Sequence, residues 1–187
     1  MPRINQGSCV GIYYMQGNTI QVHNGRLIAA RYGQTWLPYV DTAFGRSPDQ
    51  VLFAHWNINT TTGIPFHERR LLDRIVEVRL TPDLPSNNPF YCGNFRGPGA
   101  PGEIRPGTCV GVWFRDDNGA LDVKNGRYLF YRDANGRHHC VLLEGATPHE
   151  IFYYHWIVER NAAGQITGLV PEIKSRTRVH GVFRNTL

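Results

Sequence analysis

The sequence predicts an all-β protein made of two tandem copies of a small barrel- or sandwich-like unit related by a pseudo-twofold, with at most one short helix. Three observations carry this prediction. Three sequence blocks recur in the same order about 100 residues apart, Asn-Gly pairs punctuate β-branched and aromatic segments, and a Pro/Gly-rich stretch separates the halves.

The first block, Ile4-Asn-Gln-Gly-Ser-Cys-Val-Gly-Ile-Tyr-Tyr14, aligns with Ile104-Arg-Pro-Gly-Thr-Cys-Val-Gly-Val-Trp-Phe114. The second aligns Val22-His-Asn-Gly-Arg26 with Val123-Lys-Asn-Gly-Arg127, and the third aligns Pro48–Trp56 with Pro148–Trp156, both ending in His-Trp. These blocks place the first repeat in residues 1–80 and the second in 107–187. An internal repeat can be a unit that buries its apolar face only against its neighbour. A unit of about 80 residues buries too little of its own surface to be comfortably stable alone, so the copies are expected to pack together.

Asn-Gly stands at 24–25, 118–119, 125–126 and 135–136, a dipeptide suited to the tight turn of a hairpin. With these as turns, strands are expected at 8–15, 18–23, 26–32, 35–40, 50–58 and 74–80. The second copy repeats them at 108–115, 120–125, 127–132, 138–144, 150–158 and 177–184. Residues 67–75 read as the one short helix, because Leu71, Leu72 and Ile75 can share a helical side. Residues 81–106 carry six prolines and four glycines and read as an extended linker. The aromatic run Phe90–Phe95 inside it is expected to dock onto a repeat.

Composition narrows the function classes. A 41% hydrophobic, 19% charged chain is globular, and its apolar runs are too short to span a bilayer as a helix. The N-terminus has no secretory leader, which gives a cytoplasmic expectation, with non-classical export also open, and reduced thiols at Cys9, Cys92, Cys109 and Cys140. The net charge of +5 is almost all arginine, with lysine only at 124 and 174. Arginine suits planar recognition of phosphate or carboxylate, although a GC-rich gene gives the same bias.

Strand periodicity sets Val10, Ile12 and Tyr14 on a core face, and Cys9, Gly11 and Tyr13 on the other. The copy repeats this with Cys109, Gly111 and Trp113. Two small residues beside a ring form a shallow groove that either a ligand or the other repeat could fill. His55 and His155 sit in strands apolar on both faces and read as core histidines bonded to backbone.

The leading functional expectation is a non-catalytic binding protein with duplicated sites for a polar small ligand or glycan, lectin-like in character. Its rings and amides are Tyr13, Trp36 and Trp113, with Asn24, Arg26, Asn125 and Arg127 on the repeated turns. One alternative is a nucleic-acid binder using Arg69, Arg70, Arg74, Lys174, Arg176 and Arg178. Another is a hydrolase pairing Cys9 with His55 and Cys109 with His155, although no acidic residue recurs in both copies to orient the bases. No metal site and no cofactor are expected, since Cys-x-x-Cys and phosphate-loop spacings are missing. His138-His139-Cys140 is dense in ligating groups but unrepeated. Asn59-Thr-Thr61 is a glycosylation-type triplet with meaning only in a secretory context.

Overall fold

The structure is a computed structural model that describes residues 3–187. The strands of the first repeat are β1 (Arg3–Asn5), β2 (Cys9–Gln16), β3 (Thr19–Tyr32), β4 (Thr35–Leu37), β5 (Tyr39–Asp41), β6 (Gln50–Ile58), β7 (Pro65–Asp73) and β8 (Ile75–Leu80). Those that follow are β9 (Glu103–Ile104), β10 (Cys109–Arg115), β11 (Leu121–Arg132), β12 (His138–His139), β13 (Leu142–Leu143), β14 (Glu150–Arg160), β15 (Ile166–Thr177) and β16 (Val179–Arg184). Among the described residues there is no α-helix, only two short 3-10 turns.

Two antiparallel six-stranded sheets have the same order. The first runs β7-β6-β3-β2-β8 with β4 on β3, and the second runs β15-β14-β11-β10-β16 with β12 on β11. The duplication read from sequence is therefore a duplication of topology. Each sheet has its own core: Val10, Ile12, Leu27, Val51 and Phe53 in the first, and Val110, Val112, Tyr128, Ile151 and Tyr153 in the second. Val10 and Ile12 are buried as period two requires, with Tyr14 packed beside them.

The expected helix at 67–75 is instead strand β7, paired with β6 from Gln50↔Asp73 to Ile58↔Pro65. Leu72 is 7% exposed while Leu71 is 48% exposed, so the neighbouring leucines point to opposite faces, as in a strand. Residues 171–176, at the equivalent place in the second repeat, likewise lie within a strand, β15. β7 and β8 join through Arg74, and β15 and β16 through Arg178. Both arginines have φ 55°, the left-handed corner that lets an edge strand fold back across its sheet.

Two of the four Asn-Gly pairs are not turns. Asn24-Gly25 and Asn125-Gly126 lie inside the continuous strands β3 and β11. The first hairpin turns at Gly17-Asn18 instead, and Asn118-Gly119 and Asn135-Gly136 fall in the turns that were expected. The reason is close approach. A Cβ on Gly25 would meet the Ala54 carbonyl and Phe53 ring, and one on Gly126 would meet the Tyr154 carbonyl. Glycine is needed where β6 or β14 crosses at short range, not where the chain reverses.

The segment between the sheets packs on the second one. Leu84 packs with Leu129 and Phe130, and Phe90 stacks on Phe130 at 5.0 Å. Its end forms β9, which pairs with β13. The reduced-thiol expectation is overturned, because Cys9 pairs with Cys109 and Cys92 with Cys140, leaving no free cysteine among the described residues.

Candidate functional site

The repeats meet along a pseudo-twofold axis, and equivalent residues make reciprocal contacts across it. Cys9 and Cys109 lie at equivalent strand starts, with Cα atoms 5.4 Å apart. Gly11 lies under Trp156 of the other repeat, and Gly111 lies under Trp56. The grooves expected beside Gly11 and Gly111 are thus filled by the opposite repeat's tryptophan.

The asparagines of the repeated Asn-Gly-Arg act as clamps. Trp156 N–H donates to Asn24 Oδ1 at 2.8 Å, and Asn24 Nδ2 donates to the Trp156 carbonyl at 3.0 Å. Asn125 does the same to Trp56, at 2.9 and 2.8 Å. Each amide satisfies one residue's backbone donor and acceptor, as a neighbouring strand would. The arginines follow suit. Arg26 Nε and Nη1 donate to the Gly7 and Asn185 carbonyls at 2.8 and 3.1 Å. Arg127 donates to the Gly107 and Thr81 carbonyls at 3.0 and 2.8 Å.

Five of the seven residues expected to face a glycan bind protein backbone: these two asparagines, these two arginines and Tyr13. Tyr13 is fully buried, edge-on to Trp156, with its hydroxyl donating to the Ile157 carbonyl at 2.8 Å. Trp113 is partly buried beside His180, and Trp36 stands alone and exposed on β4. These rings form no shared platform. The thiol–imidazole pairs have no thiol, because Cys9 and Cys109 bond each other.

The histidines instead have carboxylate partners. His55 Nε2 meets Glu68 at 2.7 Å, and His155 Nε2 meets Glu172 at 2.8 Å. Both pairs are cross-strand neighbours, His55↔Glu68 and His155↔Glu172, and both correct the reading of backbone-bonded core histidines. The recurrence escapes a fixed-offset comparison because the separations are 13 and 17 residues. The hairpin of the second repeat is longer, and only strand register reveals the match.

Burial lowers the pKa of His55 and His155 despite the opposing pull of Glu68 and Glu172. His23, edge-on to His55, is lowered to about 4 by burial, then by Arg70 and His55, against Glu68. For Glu68, burial raises the pKa, but hydrogen bonds from His55 and Asn57 outweigh it and leave the carboxyl lowered.

These histidines line a cleft of about 450 Å³ shared by both repeats. His23, His55 and Arg70 come from the first repeat, and Lys124, His155 and Arg160 from the second. Arg160 is tied to Thr19 and Ile20 across the interface, and Lys124 lies 3.8 Å from Asp122. Arg70 is exposed and makes no hydrogen bond or ion pair among the described residues. The cleft is therefore cationic with neutral imidazoles at its wall. A second cleft, about 610 Å³, lies by the Cys9–Cys109 bond and includes Arg26 and Arg127.

The arginines proposed for nucleic acid do not form one stripe. Arg70 lines the cleft, whereas Arg69 projects from the opposite face of β7. Arg74 bonds the Gly17 carbonyl, Arg176 bonds the Tyr153 hydroxyl and covers Phe114, and Arg178 pairs with Asp117. Lys174 lies on β15 at the register position of Tyr153, as Arg70 does opposite Phe53. No helix among the described residues is long and apolar enough to cross a membrane. No protein-family model matches this chain, and no curated protein and no solved structure matches it significantly.

Proposed function

We propose that this chain is a non-catalytic binding protein that holds an acidic carbohydrate in the cleft where its two repeats meet. The observation that carries this reading is Arg70, an exposed guanidinium with no hydrogen bond or ion pair among the described residues, at a cleft that also contains Lys124 and neutral histidines. Guanidinium matches a carboxylate or sulfate by paired hydrogen bonds, and imidazole and amide groups suit hydroxyls. The reading moves the ligand from two separate grooves to one shared cleft, since tryptophan fills the grooves. Pairing of all four cysteines supports an oxidising compartment rather than the cytosol.

A glycan array carrying uronic-acid, sulfated and neutral saccharides tests the reading. Binding is expected on the acidic members, falling with salt. Arg70→Gln and Lys124→Gln should each weaken it about tenfold, the value of one charge-assisted hydrogen bond of about 1.5 kcal/mol. Binding only to neutral saccharides, or binding untouched by both substitutions, would overturn it.

A further inference from the structure

Residues 81–106 are fastened to the second repeat by the Cys92–Cys140 bond, whose Cα atoms are 5.8 Å apart. His138 of β12 stands against this bond, with Nε2 3.9 Å from Cys92 Sγ. The ligating atoms of Cys92, His138 and Cys140 all lie within 4.8 Å of one another. The imidazole is held in place between rings, with the centroids of Phe90 and Phe130 at 5.2 and 4.8 Å.

Two sulfurs and an imidazole are the donor set of a soft or borderline divalent cation, with water as fourth ligand. Metal–sulfur distances of about 2.3 Å and metal–nitrogen distances of about 2.0 Å put neighbouring donors roughly 3.5 Å apart. His138 already stands near that range from Cys92, and the sulfurs reach it by side-chain rotation once their bond is broken. Metal-binding histidines are commonly held in one orientation by their surroundings, as the Phe90 and Phe130 rings hold His138 here.

The geometry points to a redox-gated metal site: when a reductant opens Cys92–Cys140, the two thiolates and His138 Nε2 bind one Zn²⁺. A dithiol reductant supplies two electrons and two protons to the sulfurs and leaves as its own disulfide. Zn²⁺ then displaces both thiol protons to solvent. The linker stays fastened to the His138–Cys140 segment in both states, by a covalent bond in one and by the metal in the other. Cys9–Cys109 is an internal control, because its sulfur neighbours are the Gly25 carbonyl and the Asn185 amide rather than a histidine.

The test uses the full chain, reduced with a phosphine (which takes up water oxygen to become the oxide), desalted without air and titrated with Co²⁺. Thiolate-to-cobalt charge-transfer absorption should saturate at one equivalent in the reduced protein and in the C9S/C109S variant, and should be missing before reduction. His138→Ala should weaken binding at least about ten- to hundredfold, and Cys92→Ser should abolish the absorption. In parallel, Zn²⁺ should slow alkylation of Cys92 and Cys140, read by mass spectrometry, and leave Cys9 and Cys109 at their metal-free rates. Absorption that persists in Cys92→Ser, or a reduced chain with neither absorption nor protection, overturns the assignment.

Discussion

Acidification should destabilise this fold through His23 well before its carboxylates are protonated. His23 is stacked on Tyr14 at 5.4 Å and edge-on to His55 at 5.8 Å, with Arg70 close by. Burial, then Arg70 and His55, lower its pKa from 6.5 to about 4. In the unfolded chain the imidazole takes a proton near pH 6.5, while in the folded chain it resists until about pH 4. Between those values the unfolded state binds more protons, so stability falls as pH falls; above pH 6.5 the contribution is constant. At about 1.36 kcal/mol for each pKa unit the full effect is roughly 3 kcal/mol. Partial exposure of His23 makes that an upper figure, and about 2 kcal/mol is the working value. His55 and His155, lowered by burial, act in the same direction. Glu68, lowered overall, adds a separate loss as pH falls below its ordinary 4.5. Urea unfolding of the oxidised protein at several pH values between 7.5 and 4 gives the slope. His23→Gln, which cannot charge, should flatten it between pH 6.5 and 4.5. Identical slopes for wild type and His23→Gln would refute the reasoning, as would an NMR titration placing the His23 imidazole near 6.5.

Other substitutions probe the joint between the repeats and its corners. Asn24→Ala or Asn125→Ala strands a tryptophan backbone donor and acceptor, and each should cost about 1–3 kcal/mol in urea unfolding. Gly111→Ala drives a methyl group into the Trp56 ring and should lower stability by about 1–3 kcal/mol, with Trp56 fluorescence reporting the displacement. Arg74→Gly relieves a non-glycine residue at φ 55° and should raise the thermal midpoint, with a gain near 1 kcal/mol less the bond to the Gly17 carbonyl. Opening Cys9–Cys109 in C9S/C109S removes a 100-residue cross-link and should cost several kcal/mol, up to about 5 on chain-entropy grounds.

The sequence by itself determined that the chain is all-β and duplicated, because block identity and period-two alternation are local properties that survive without coordinates. It also determined which face of β2 and β10 is core: Val10 and Ile12, and Val110 and Val112, are buried as alternation requires. Only the tertiary structure decided what the other face meets. Asn24-Gly25 and Asn125-Gly126 have the composition of hairpin turns, yet local turn preference yields where a crossing strand and the opposite repeat need a small residue and an amide. The 67–75 segment alternates in β7 because pairing with β6 outweighs a weak helical pattern. The His–Glu pairs were hidden because hairpins of unequal length break the fixed offset, whereas strand register restores it. The cleft belongs to neither repeat alone, and a surface made by two distant segments leaves no contiguous trace in the chain.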